Sequence, residues 1–204
     1  MSFSSENEKG FQKLPKEFYL RATVKVAKEL IGKVIVRKLN RKVLSGIIVE
    51  AEAYLGENDP ASHSFNGKTK RNEVMFMEGG NAYVYFTYGN HFCFCVVTEK
   101  ENKGCAVLIR GVEPLEGIET MKSNRGTHDI FNLTNGPGKF TRAFGIGREL
   151  NGEDLRGERI FILNSNHDKS MKVLSSKRIG ITRNTEKPFR FYLKDNPFVS
   201  RKKK

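Results

Sequence analysis

Apolar residues recur at helical spacing between Pro15 and Gly32, with Leu20, Val24, Ala27 and Ile31 on one face. Pro15 suits a first helical turn and Gly32 a stop, so one helix is expected there. Two strand-like runs follow, at 33–38 and 43–55. The polar, turn-rich stretch from Gly56 to Arg71 reads as a long loop, and loops of that length inside a compact domain are usually functional or disordered. The β-rich runs Ala82 to Tyr88 and His91 to Thr98 flank Gly89-Asn90, a hairpin signal. Cys105 to Gly111 is a further strand, and Pro114 is expected to open a short helix to about Ser123. Residues 124–135 read as loop, and Pro137 as the first residue of a helix reaching Phe144. Strand candidates in the last third lie at 159–163, 177–182 and 189–193. No repeat, low-complexity segment or linker divides the chain. The pattern predicts one mixed α/β (α+β) domain over 14–200, with a loose polar segment at 1–13 and a basic tail at 201–204.

Composition narrows the partners. Of 204 residues, 38% are hydrophobic, enough for a real core. Lys and Arg total 36 against 23 Asp and Glu, a net charge of +13 that favours a polyanion. Charge alone leaves membrane surfaces and RNA open. No run approaches the ~20 apolar residues of a spanning helix. The start, Met1 to Glu8, lacks a basic region followed by an apolar stretch, so no secretory signal is expected. Three cysteines, an odd number, suit a reducing cytosol better than a disulfide scaffold. Cys93 and Cys95 share a strand face and Cys105 lies on the next strand, which is not a zinc-finger spacing. A reduced core role is expected for all three, with no metal and no cofactor.

The run Ile47 to Leu55 carries the first candidate chemistry. Side chains alternate across a strand, so Ile47, Val49, Ala51, Ala53 and Leu55 share a core face. The opposite face presents Ile48, Glu50, Glu52 and Tyr54. Such a row is ordinarily a solvated face, but Glu is depleted in strands and the chain around it is basic. The two carboxylates should lie about 6.6–6.8 Å apart along the strand. That suits an inverting carbohydrase, and equally one carboxylate activating a water while the other supports it.

On the hairpin, Tyr83 and Tyr85 share a face, and Tyr88 stands directly before the turn. Tyr83 reads as an ordinary core or edge residue. A bulky aromatic at a hairpin tip is hard to bury, so Tyr88 is a candidate wedge for a base stack, at a cost of roughly a few kcal/mol per step. Tyr54 with Tyr85 on a concave face would hold a flat base, with stacking worth ~1–3 kcal/mol and more for a cationic one.

Together these stretches resemble the alkyladenine (3-methyladenine) DNA glycosylase family. The resemblance runs from about Pro15 to Ser200 and rests on the order and spacing of several motifs. They include Glu50-Ala51-Glu52-Ala53-Tyr54-Leu55-Gly56, Ala61-Ser62-His63, Arg71-Asn72, Tyr83-Val84-Tyr85 with Tyr88-Gly89, and Val107-Leu108-Ile109-Arg110. Further on, Glu113-Pro114-Leu115-Glu116-Gly117, Asn135-Gly136-Pro137-Gly138-Lys139, Arg178-Ile179-Gly180-Ile181 and Lys187-Pro188-Phe189-Arg190-Phe191-Tyr192 match too.

The resemblance implies a curved antiparallel sheet flanked by helices, with a protruding β-hairpin. It implies hydrolysis of the bond joining a damaged purine to deoxyribose, the nucleotide being flipped out of double-stranded DNA. Glu52 then matches the general base, Arg110 a residue that helps hold the attacking water, and the Ile179 carbonyl the third position around it. Tyr54, His63 and Tyr85 match the base pocket, and Tyr88 the wedge. An isolated histidine is usually structural, but His63 has the means to read a purine edge as donor or acceptor. Ring-alkylated purines are cationic and leave readily, so a carboxylate near the sugar is the main requirement.

Two positions depart from the family pattern. Cys95 stands in the base-binding set where the family typically has Asn, whose amide, as the resemblance implies, obstructs the amino group of guanine. Asn90, at the hairpin tip beside the DNA backbone, replaces a common Met. Pro137-Gly138-Lys139 sits at an expected helix start, where free N–H groups attract phosphate. Lys139, Arg142 and Arg71 are therefore candidate phosphate contacts, and the tail adds nonspecific attraction.

The expected enzyme is a monofunctional, monomeric base-excision-repair glycosylase of the cytoplasm (nucleoid-associated if bacterial), without an obligate protein partner. It should leave an intact abasic strand, because no Lys can be placed beside Glu52 as an amine nucleophile. The rivals are a noncatalytic basic nucleic-acid-binding module and, far behind, a carbohydrate hydrolase.

Overall fold

One long strand, β2 (Lys42–Leu55), organises the computed structural model, which describes residues 12–87, 89–164 and 171–200. Along one edge it pairs with β5 (Cys105–Glu116) from Ser45 to Leu55. The other edge is divided: β1 (Val34–Leu39) pairs with residues 42–47, and β8 (Arg190–Leu193) with residues 50–52. β3 (Ala82–Thr87) and β4 (His91–Thr98) continue the sheet beyond β5. β6 (Ile160–Leu163) continues it beyond β1, and β7 (Val173–Ser176) pairs with β8. All these pairings are antiparallel, giving the curved sheet of a single α+β domain.

The alternation of side chains divides this sheet into two faces. Ala51 and Ala53, Val107 and Ile109, Phe94 and Val96, Ala82 and Val84 join the main core. Helices α2 (Thr23–Leu30), α3 (Ile118–Arg125) and α4 (Pro137–Ala143) add Val26, Leu30, Met121 and Phe140 to it. The opposite face carries a smaller cluster in which Cys93, Cys95, Tyr83, Ala106 and Leu108 pack with Met75 and Phe76. Tyr54 and Tyr85 rest against that cluster, and this is the face that becomes the site.

Several elements differ from the sequence reading, for tertiary reasons. The expected helix over 15–32 is two: α1 (Lys16–Tyr19) and α2. The Tyr19 carbonyl is taken by the Glu99 amide at 2.8 Å, and the Glu99 carboxylate accepts from the Thr23 amide at 3.1 Å. The Glu99 amide thus ends one helix, and its carboxylate caps the next. Gly32 does close α2, at φ +88°.

No helix begins at Pro114. β5 runs on to Glu116, and α3 starts after Gly117. Pro114 is tolerated because it lies opposite Gly46 next to a register shift, while β4 pairs with β5 only as far as Leu108. The strand candidate at 177–182 is irregular, and the pairing with β8 is made by residues 173–176. There the Arg178 side chain is drawn into the protein, as described below. Lys13, at the end of the segment expected to be loose, forms a β-bridge to Leu163 and an ion pair with Glu158 at 2.6 Å. Residues 1–11, Tyr88 and the tail 201–204 lie outside the described residues. No helix of the described residues is long and apolar enough to cross a membrane.

Gly46 shows how tightly β2 and β5 pack. A Cβ there would lie 2.5 Å from Val112 Cγ1 and 2.6 Å from the Glu113 carbonyl oxygen. Gly46→Ala is expected to destabilise the fold by about 1–3 kcal/mol, read as a lower denaturant midpoint at unchanged slope. An unchanged midpoint would contradict this packing.

Candidate active site

The site begins with a fault in the β2–β5 ladder. Glu50 pairs with Gly111 and Ala51 with Ile109, so Arg110 has no partner in register. Such a bulge re-aims a side chain, and Arg110 turns toward both glutamates of β2. Its Nε donates to Glu50 Oε1 at 3.1 Å and its Nη1 to Glu52 Oε2 at 3.4 Å. Neither glutamate faces solvent, both being fully buried.

Glu52 has two further donors. Tyr54 OH reaches Oε2 at 2.9 Å, and the Ile179 amide reaches Oε1 at 2.8 Å. Burial raises its pKa and outweighs the lowering by Arg110, the Ile179 amide and Tyr54. Burial alone would lower Arg110, but Glu52 and Glu50 outweigh it and keep the guanidinium charged. Of the about four acceptor sites of a carboxylate, three are occupied, which leaves one on Oε1. A carboxylate with raised basicity and one spare acceptor site is equipped to take a proton from water.

Glu52 lies directly behind the wall of a cleft of about 490 Å³, and its donors Tyr54, Arg110 and Ile179 all belong to that wall. The opposite wall is aromatic. Tyr83 and Tyr85 stack with centroids 5.1 Å apart, and the His63 ring meets Tyr85 edge-on at 4.5 Å. His63 Nδ1 is hydrogen-bonded to Tyr83 OH at 3.2 Å. Partial burial and then Arg71 lower the His63 pKa, so it is neutral at pH 7. Burial, followed by Glu52, holds the Tyr54 hydroxyl protonated far above its usual range.

Cys93 and Cys95 line the cleft between these walls. All three cysteines are buried and free. Burial pushes the Cys93 thiol up to about 11 and Cys95 well above its usual value, so both stay uncharged. The cleft is therefore lined by aromatic rings and uncharged thiols, with Tyr54 and Arg110 as the groups that reach Glu52.

A buried ion pair holds the last piece of wall in place. Arg178 and Asp59 are both fully buried, with Arg178 Nη2 donating to Asp59 Oδ1 at 2.8 Å and Nη1 to the Ala53 carbonyl at 2.8 Å. Asn184 Nδ2 also donates to Asp59, at 2.9 Å. The Arg178 guanidinium lies 4.6 Å from the Tyr54 ring centre, on a side already committed. Ile179 follows directly, so this pair sets the amide that meets Glu52. Burial would raise Asp59, but hydrogen bonds from Arg178 and Asn184 hold it below its ordinary value.

The residues singled out in the sequence are placed as follows. Glu52, Arg110, Ile179 and Tyr54 converge, and Tyr85, His63 and Cys95 line the same cleft. The Ile179 contact with Glu52 is made by its amide. Arg71 is exposed and donates to the Phe86 carbonyl on the hairpin at 3.3 Å. Asn90 is exposed at the turn and hydrogen-bonds His91, which lines the cleft mouth. Lys139 reaches Asn132 and Asn135, and Arg142 donates to the Asn124 carbonyl at 3.0 Å, so both also tie α4 to neighbouring segments. Tyr88 lies outside the described residues.

Asp59, Arg178 and Cys93 were not foreseen as parts of the site. Asn58-Asp59-Pro60 reads as a turn, and Asp59 does accept from the Ala61 amide at 3.2 Å. Nothing local announces the arginine from far along the chain. Glu50 cannot serve as a second hydrolytic carboxylate, because Arg110, Arg190 and Ser200 occupy it. This removes the basis for a paired-carboxylate carbohydrase.

Residues 17–197 match the family model described as methylpurine-DNA glycosylase. A protein of Carboxydothermus hydrogenoformans with the provisional name 3-methyladenine DNA glycosylase is 47% identical over 190 residues, 93% of this chain and 99% of its own length. Proteins with the same provisional name from Francisella tularensis and Methanoculleus marisnigri are 46% and 45% identical over 183 and 192 residues. They cover 88% and 93% of this chain, and 94% and 99% of their own lengths.

Proposed function

The chain belongs to the methylpurine-DNA glycosylase family, and on that premise we propose that it excises alkylated or deaminated purines from duplex DNA by a Glu52-activated water. The enzyme is a DNA N-glycosylase acting in base excision repair. The observation that carries the proposed mechanism is the Glu52 carboxylate, buried behind three donors that line an aromatic cleft.

In this reading the damaged nucleotide is extruded into the cleft and its base lies between Tyr54 and the Tyr85–His63 wall. His63 Nδ1 is engaged by Tyr83, so its other ring nitrogen faces the base edge. Entry of the sugar displaces the wall from Glu52 enough to admit one water at the spare Oε1 site. The ionised carboxylate favours the positive charge that develops on the sugar as the bond to the base breaks. Glu52 then takes the proton of the water as the water oxygen bonds to the same sugar carbon. Arg110 holds the carboxylate while the bond breaks. Cationic alkylated bases need no proton to leave.

Tyr88 fills the vacated stack, while Arg71, Asn90, Lys139 and Arg142 contact the phosphates. The strand stays intact and an abasic site remains. The test is release of free 3-methyladenine, hypoxanthine or 1,N6-ethenoadenine from duplex DNA. Binding without any abasic product would overturn the reading in favour of a noncatalytic module.

A further inference from the structure

Glu50 takes no part in the reaction just described, yet its carboxylate is fully buried beside the reacting centre. Its Oε1 accepts from Arg110 Nε at 3.1 Å, Arg190 Nε at 2.6 Å and Ser200 Oγ at 2.8 Å. Its Oε2 accepts from the Ser200 amide at 2.6 Å. Three donors crowd Oε1 and one holds Oε2, and the fully buried side chain is not part of the cleft lining, so it does not meet substrate. Glu50 therefore acts only through what it holds.

What it holds is Arg110. That guanidinium divides its nitrogens: Nε to Glu50, Nη2 to Ser200 Oγ at 3.3 Å, and Nη1 alone to Glu52, at 3.4 Å. Arginine prefers to pair a carboxylate through two parallel bonds. Such a pairing with Glu52 would use its last acceptor site and depress its basicity.

Ser200 reaches this point because the segment 196–200 packs against β5 and β2. Asn196 Nδ2 donates to Glu113 Oε2 at 2.7 Å, and Phe198 is buried. The Phe198 carbonyl oxygen lies 2.7 Å from where a Cβ of Gly111 would stand, so the glycine beside the bulge admits the segment.

Resting on the glycosylase reading, we propose that Glu50 and Ser200 are positioning residues that hold Arg110 in a single-bond contact with Glu52, keeping an acceptor of Glu52 open for water. The reacting carboxylate is thereby coupled to the C-terminal segment 196–200.

The test compares single-turnover release of 3-methyladenine from alkylated duplex DNA across pH. Glu50→Gln is expected to lower the plateau rate about 10–100-fold, part of the full value of a general base. The acid limb of its profile should move to lower pH. Loss of the Glu50 charge and release of Arg110 both favour ionised Glu52. Arg190 on β8 loses the Glu50 charge as Arg110 on β5 does, and the remaining groups facing Glu52 keep their contacts: Tyr54 on β2, Cys93 and Cys95 on β4, and the 178–179 loop with Arg178.

Glu50→Asp should return the limb toward its original position. Ser200→Ala, which keeps the backbone amide, should shift it in the same direction as Glu50→Gln by a smaller amount, and it serves alone should Glu50→Gln not fold. A folded Glu50→Gln, or in its place Ser200→Ala, with unchanged rate and limb overturns the proposal. So does a rate loss with no movement of the limb, which is what mere destabilisation produces. Glu52→Gln run in parallel separates the claims: if it too keeps wild-type release, the glycosylase mechanism fails, and if it alone is inactive, only this inference fails.

Discussion

Glu52→Gln is expected to reduce single-turnover base release by about 10²–10⁴-fold while leaving affinity for lesion-bearing duplex within about twofold, because a base acting only in the transition state changes rate and not binding. The substitution keeps shape and removes charge. Three donors converge on this side chain, from Tyr54, Arg110 and Ile179. Glutamine accepts at one oxygen only, but the Tyr54 hydroxyl is able to reverse and accept from the new amide, so the fold is expected to survive. Arg110 keeps its charge partner in Glu50. The check is a quench experiment for free base alongside a binding titration on the same duplex. Wild-type release by the variant would mean that another group handles the water.

The second large effect concerns stability. Asp59→Asn should destabilise the protein by about 3–5 kcal/mol, because it leaves the Arg178 charge buried without its partner. For a chain of this size that lowers Tm by roughly 10 °C. Site chemistry should suffer as well, since Arg178 places the Ile179 amide on Glu52 and lies against Tyr54. The double variant Asp59→Asn/Arg178→Gln should recover part of the loss, because no unpaired charge remains. Loss in the double variant equal to the sum of the two single losses would show that the pair is not coupled.

The linkage has a definite sign. Asp59 is held below its ordinary value, so its contribution is fully present above the usual carboxylate range and is lost as pH falls through the folded-state value. Asp59→Asn should therefore show less acid sensitivity than the wild type.

The parts of the site legible in the sequence are those written in strand alternation. Glu52 and Tyr54, Tyr83 and Tyr85, and Cys93 and Cys95 each sit two residues apart, and each pair reaches the same face of the sheet. The identity of that face as a cleft came from the family resemblance, because periodicity cannot distinguish a second buried face from a solvated one. Gly111 carried an unread signal: a glycine within a strand marks a bulge or a close approach, and here it marks both.

The misread elements share a cause. Glu99 splits the first helix, the Gly46 register shift carries Pro114 into a strand, and Asp59 draws 177–182 away from the sheet. Each depends on a partner distant in the chain, over spans that local propensity does not sense. The same applies to Glu50, whose partners Arg110, Arg190 and Ser200 lie 60, 140 and 150 positions away.

The most direct test of the central claim is the pH dependence of wild-type single-turnover release of 3-methyladenine, a base that is already cationic and leaves without a proton. In the proposed mechanism only the ionised form of Glu52 is active, and burial raises its pKa. The rate should therefore fall as pH drops, with a midpoint above the ordinary glutamate value, and this limb should vanish in Glu52→Gln. A wild-type profile flat through that range, or a limb that persists in the variant, would contradict the account.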